Sequence, residues 1–458
     1  MHPITLPSMI EYIKGKISLI DVHTLEVLKN SSTSTIVKVT GMVFGLLVSV
    51  FLGRTLGAEG YGIISLANQI GSVVLIISLL GLRQVIVKEV AIGVDQKKWN
   101  HIRNVMFSSF TVNVGVTLII SGSLVLLSPY IAAEIFNEPK LEIPLAITMV
   151  VVLPQVLSRI FSSALIGFHK IWQSNLVDQT LSYVIIGIAL SILWFLNIPI
   201  TVVKVAIVYA IGRMSVTFCV GFYWKKLYGD VDYTKEKRLF VGKKLLKTSL
   251  PLLLVGASSV IASNADSIML GWLSNSAEVG LYVVAAKIGL LTSFLLQVTN
   301  SAISPKIAAF YANGNVEQME IMIQKISGIL FLIALIPIGL FLIWGDTLLS
   351  LWGDEFINAY WVLIIISVGQ FFNLSTGAAG LTLMLCGEER IQGIISITSL
   401  LLNLILNYLL IVKIGALGAG LATAITVAAE NITKVILVKI KLGILTIPVN
   451  LSVLKLKH

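Results

Sequence analysis

A polytopic, all-α integral membrane protein is the fold class this sequence predicts, and three observations predict it. Of 458 residues, 56% are hydrophobic and only 12% are charged, about half the ~25% usual in soluble domains; mean hydropathy is +0.94. Long continuous apolar runs recur along the chain, and a run of about 20 residues crosses ~30 Å of hydrocarbon as a helix. Lysine and arginine concentrate in alternate connections between those runs. Too few polar residues remain to clothe two or three soluble domains, which excludes a cytoplasmic enzyme, a secreted domain and a disordered chain. A β-barrel would alternate in polarity over segments of about ten residues, and these runs do not.

Residues 1–33 are polar and mildly basic, without the apolar region and cleavage site of a secretory signal; they read as a cytoplasmic leader. Twelve spans follow, near 34–56, 61–81, 105–127, 144–167, 172–196, 200–224, 249–273, 278–303, 326–349, 357–386, 391–412 and 416–440. The tenth is long and holds Gly377 and Gly380, which predicts a tilt or a break. With the N-terminus inside, 26 of the 33 Lys and Arg fall on the cytoplasmic side and three (Arg54, Lys140, Lys413) outside. That asymmetry predicts an even number of spans with both ends cytoplasmic, and it accounts for a net charge of +10 without nucleic acid. Cys219 and Cys386 lie inside apolar runs with no ligand or disulfide spacing.

The most basic connection, 225–247, divides the spans six and six and reads as a topogenic linker near anionic headgroups. The expected units are a leader 1–33, an N-lobe 34–224, the linker 225–247, a C-lobe 248–440 and a tail 441–458. A shift of 218 residues supports the division: Leu52, Gly53, Gly62, Ala67, Ile70 and Gly71 fall on Leu270, Gly271, Gly280, Ala285, Ile288 and Gly289. Six spans per repeat means the two lobes point the same way, related by a pseudo-two-fold axis along the membrane normal with a site between them. Such an architecture suits transport better than scaffolding.

Several stretches carry a family resemblance. Phe51–Ala67 resembles the first hairpin, and Leu80–Gln84 the end of the second span, of the polysaccharide transporter family, the Wzx-like flippases of the multidrug/oligosaccharidyl-lipid/polysaccharide (MOP) exporter superfamily. Asn264–Gly271, Gly280–Lys287, Ile303–Lys306, Asn403–Asn407 and Gly415–Thr423 are similar to the family's second half, and the resemblance runs from about 34 to 440. It implies a MATE-like fold. It also implies export of a polyprenyl-diphosphate-linked oligosaccharide across a bacterial plasma membrane, for O-antigen, capsule or exopolysaccharide, beside membrane lipids and with a polymerase and chain-length proteins as associates.

A sugar chain and a negative diphosphate can cross hydrocarbon only through a polar cavity, so each ionisable residue within a span is a functional candidate. Arg213 lies near the middle of span 6, and its fork suits a diphosphate or a structural partner. Asp266 and Lys287 flank one turn, Arg159 and Asp178 another, at depths where each set can pair as a structural bridge or line the cavity. Asp266 or Asp178 is then a candidate carrier of a coupling proton or sodium ion, and no other cofactor and no metal centre is expected. Glu430, one turn from Lys434, is a helix ion pair or a third coupling or gating candidate. Lys204 starts span 6 at the outer face, where it snorkels or meets substrate. Asn264, with Asn403 and Asn407, serves as interhelical glue or as a substrate contact. Trp344, Trp352 and Trp361 read as an interfacial belt.

Multidrug efflux within the same superfamily is the alternative. A polymerase or glycosyltransferase would need a large external loop, and no Walker A sequence offers ATP hydrolysis, so no catalytic residue is expected.

Overall fold

The computed structural model describes residues 22–229 and 239–447. Most of the leader, the middle of the basic linker (including Lys235, Lys237 and Arg238) and the end of the tail lie outside the described residues. Among those described, all regular structure is helical, as hydrocarbon requires: only a helix or a closed barrel satisfies its own backbone polar groups in lipid.

Ten helical segments among the described residues are long and apolar enough to cross a membrane, and two of them fold back on themselves. In Val22–Ser78 the helix is interrupted at Gly57 (φ 69°, ψ −175°), a conformation open essentially to glycine. Ser49 and Tyr61 nonetheless share a hydrogen bond of 2.7 Å, although twelve residues of straight helix would hold them ~18 Å apart. In Glu389–Leu442 the interruption falls at Ile414 and Gly415 (φ 55°). Asn407 and Thr423 each reach the same carboxylate at 2.6 Å. Each fold-back is capped by an acid from elsewhere: the N–H of Ala58 donates to Glu355 at 2.9 Å and that of Ala416 to Glu278 at 2.7 Å. A carboxylate there satisfies an orphan donor and complements the helix dipole. Ten segments with two reversals make twelve crossings in a two-lobed, MATE-like bundle.

Spans 1 to 6 are 33–56, 58–78, Trp99–Ile135, Pro139–Gly167, Ile171–Phe195 and Val202–Tyr228; spans 7 to 9 are Gly242–Leu273, Ser276–Ala312 and Val316–Ser350. Span 10 breaks at Gly377 (φ 63°) into Tyr360–Ser375 and Ala379–Leu385, where a Cβ would stand 2.0 Å from Ser327 Oγ. The long connection expected after span 2 is largely a helix, Leu82–Asp95, entered through left-handed Gly81. The expected external loop 128–143 is shorter, because span 3 continues through a π-helical turn, Ile131–Ile135. Span 8 has an interruption no sequence signal announced, between Leu290 and Ser293.

The lobes meet closely where the turns after spans 1, 7 and 11 lie, here called the turn face. A Cβ on Gly62 would stand 1.7 Å from the carbonyl oxygen of Ser276, and one on Gly280 would stand 2.1 Å from that of Ala58. Both partners differ by the 218-residue shift of the repeat, so the contact is reciprocal, as a two-fold axis demands.

Candidate functional site

Between the lobes lies a cavity of about 820 Å³. Span 1 brings Lys38 to it, span 4 Arg159, span 5 Asp178, span 7 Asp266, span 8 Lys287 and span 10 Gln370. Both lobes contribute, and charge of both signs faces the space.

Toward the turn face the cavity ends in a chain of hydrogen bonds across the lobes. Lys287 Nζ donates to Tyr61 Oη at 3.0 Å with the ammonium 5.8 Å from the ring centre. Tyr61 Oη bonds Ser49 Oγ at 2.7 Å, which also accepts from Trp352 Nε1 at 2.8 Å. Trp352 is 2% exposed, wedged where a Cβ on Gly53 would come within 2.7 Å of its ring. Arg54 adds a bond from Nε to the Leu351 carbonyl at 2.7 Å. Trp344 and Trp361 are exposed as a belt requires, whereas Trp352 is not; its indole N–H found a buried partner in the other lobe, and it is a clasp rather than an anchor.

In the C-lobe, Asp266 is 8% exposed and held by four neutral donors. Tyr282 and Thr423 donate to Oδ2 at 2.6 Å each, Asn407 and Asn403 to Oδ1 at 2.6 and 3.1 Å. The expected pair of Asp266 with Lys287 does not form: spacing placed both at one depth, but the lysine turns to the other lobe's Tyr61 and the carboxylate into its own. In the N-lobe, Asp178 sits on a π-helical turn, Leu176–Thr180, a feature that recurs at functional positions. It pairs with Arg159 at 2.8 Å and also with Arg83.

Arg213 lies outside the main cavity, in a smaller pocket that shares Arg159, Asp178 and Tyr183 with it. Three other candidates stand away from the cavity. Lys204 is half-buried, and its Nζ donates to the Pro199 carbonyl at 2.9 Å. Asn264 donates to Val260 of its own helix at 2.7 Å. Glu430 is bound to Lys434 at 2.8 Å. Asn403 and Asn407 act as interhelical glue on Asp266. Sequence reasoning missed Lys38, Tyr61, Tyr282 and Thr423 as cavity or clasp groups; the Asn403–Asn407 spacing of four residues, two amides on one face of an apolar helix, was the available sign of a buried acid opposite.

Two six-span lobes clasped at one face over a charged interior cavity make up a MATE-like membrane fold. Solved structures of that fold match most of the chain. An inward-facing multidrug resistance MATE family transporter of the MOP superfamily covers 92% of this chain and 99% of its own, with TM-score 0.72 and 13% identity. The lipid II flippase MurJ in an inward closed conformation covers 90% and 87%, with TM-score 0.68 and 16% identity. The chain belongs to the polysaccharide biosynthesis protein family, whose model matches residues 27–310; the MatE model matches 251–409. Among relatives, the capsular polysaccharide biosynthesis protein CapF of Staphylococcus aureus is 24% identical over 55% of this chain, a match spanning 61% of the relative. The "Putative O-antigen transporter" of Shigella flexneri is 23% identical over 83% of this chain and 90% of its own length.

Proposed function

We propose that the protein moves a polyprenyl-diphosphate-linked oligosaccharide repeat unit from the cytoplasmic to the outer leaflet of a bacterial plasma membrane, by alternating access, for surface polysaccharide. The observation that carries this reading is the cavity between the lobes, where Lys38, Arg159 and Lys287 supply cationic groups beside amides such as Gln370. A diphosphate crossing hydrocarbon needs such charge, and sugar hydroxyls need such amides. The family and the two relatives' names point to the same class of cargo. The basic-residue asymmetry orients the turn face outward and both ends to the cytoplasm, with lobes 34–224 and 248–440 joined by 225–247. In that orientation the clasp closes the outer side. A diphosphate taking the Lys287 ammonium draws it from Tyr61 and loosens the chain to Ser49 and Trp352, so occupancy favours opening outward.

Asp266 is the proposed coupling group, for a proton or a sodium ion. Oxygen-bearing side chains surround it, and Asn407 Oδ1 is buried without a hydrogen-bond partner, an acceptor of the kind hard cations take. The second reading, cation-coupled drug efflux, is favoured by the MatE match to 251–409. Deleting the gene distinguishes them. Lipid-linked repeat units trapped on the cytoplasmic side are the expected result; unchanged surface polysaccharide with heightened drug sensitivity would overturn it in favour of efflux.

A further inference from the structure

Arg213 poses a problem the main cavity does not solve. It sits well inside a membrane span, where an uncompensated charge is costly. Among the described residues no carboxylate lies within ion-pairing distance of it; Asp178, the acid on the same pocket, is taken by Arg83 and Arg159. Its recorded partner is the face of Tyr209, 5.6 Å from the guanidinium carbon. The pocket around it has a volume of about 190 Å³, below the ~300–1,000 Å³ of drug-sized sites and on the scale of one sugar ring. Tyr183 and Tyr209 supply aromatic faces; Gln155, Gln179 and Ser182 supply polar groups.

From this we infer that the Arg213 pocket is a saccharide subsite that selects a carboxylate-bearing sugar, such as a uronic acid, within the transported unit. The inference rests on the flippase reading and names its substrate class. A diphosphate is the wrong occupant. It lies mid-molecule, with a lipid on one side and sugars on the other, and both must leave the site, whereas this pocket is a small recess sharing one wall with the larger cavity. A sugar ring at a chain end, or a side branch, has only one connection and fits a recess. The guanidinium fork bonds a carboxylate through two parallel hydrogen bonds and acquires the counter-charge it lacks. The tyrosines stack on the ring, and the amides and Ser182 meet its hydroxyls. A neutral sugar would satisfy the hydroxyl partners and leave the arginine uncompensated.

The test uses purified full-length protein in lipid nanodiscs with three probes: methyl glucuronide, methyl glucoside and inorganic phosphate. Ligand-observed NMR or competition reads the affinities. The glucuronide is expected to bind about tenfold or more tighter than the glucoside. Arg213→Gln is expected to bring that ratio close to one, and Arg213→Lys, which keeps the charge without the fork, to leave an intermediate ratio. Equal binding of the two glycosides by the wild type, or a ratio unmoved by both variants, overturns the inference. Phosphate binding as tight as the glucuronide overturns the sugar assignment and leaves a plain anion site. Proteoliposomes separate this from failure of the underlying reading: a wild type that translocates no lipid-linked oligosaccharide, acidic or neutral, refutes the flippase, whereas one that translocates both equally refutes only the subsite.

Discussion

The two lobes repeat one fold and bury one carboxylate each in the cavity wall, yet they hold it in opposite ways. Asp178 of the N-lobe is gripped by two arginines, with Arg213 a third cation on the same pocket. Asp266 of the C-lobe is held by a tyrosine, a threonine and two asparagines, none charged. The N-lobe therefore carries positive charge in excess at its interior wall, and Asp178 is fixed by ion pairs. The C-lobe stabilises a negative charge without cancelling it, leaving a site whose charge a proton or a small cation could still change. Duplication supplied the scaffold, and divergence in a few side chains left a cationic wall in one half and a carboxylate held by neutral donors in the other.

The largest expected effect tests the ion-paired half. Asp178→Asn leaves two arginines without their acid, and breaking a buried pair costs ~3–5 kcal/mol; both arginines keep some exposure, so a loss of about 3 kcal/mol in unfolding stability is expected in detergent. Asp266→Asn removes no ion pair and is expected to cost only ~1–3 kcal/mol, with normal membrane insertion and abolished transport. Equal destabilisation by the two variants would dissolve the contrast between the lobes, and wild-type transport by Asp266→Asn would remove Asp266 from coupling. Tyr61→Phe tests the link between them. It deletes the acceptor of Lys287 and the bond to Ser49, and hydrogen bonds to charged groups contribute ~1.5–3 kcal/mol. Cysteines placed on the turn face should then label roughly tenfold faster at the lower limit; unchanged labelling would show that the clasp does not hold the lobes. The smallest effect is Lys204→Ala, which removes a hydrogen bond to the Pro199 carbonyl away from the cavity: stability within ~0.5 kcal/mol and unaltered transport are expected.

Much of the architecture was legible because hydrophobicity and charge asymmetry are one-dimensional signals. Twelve crossings, the break near Gly377 and the duplicated hairpin all follow from run lengths, glycine positions and a fixed shift. Depth was legible too, since rise per residue is constant, and Arg159 does meet Asp178. Azimuth was not. Asp266 and Lys287 lie at matched distances from one turn in the sequence but point to different partners, and Trp352 is buried in the protein while nearby Trp344 is exposed. Which way a span is rotated depends on its neighbours' packing, and in a helix apolar on all sides the pattern that marks a buried face in soluble proteins is missing.

The reciprocal contact of Gly62 and Gly280 has a consequence for how the machine can change over time. Main chain rests on main chain there, at distances where a methyl group finds a carbonyl oxygen already in its place. Affinity elsewhere between the lobes can be adjusted by degrees, one side chain at a time, but this joint has no intermediate settings. An alanine at Gly62 or Gly280 would act as a doorstop, keeping the turn-face edges of the lobes from meeting whatever the cavity holds, and under the proposed alternating access a lineage that acquired one would turn a two-position valve into one that cannot fully shut.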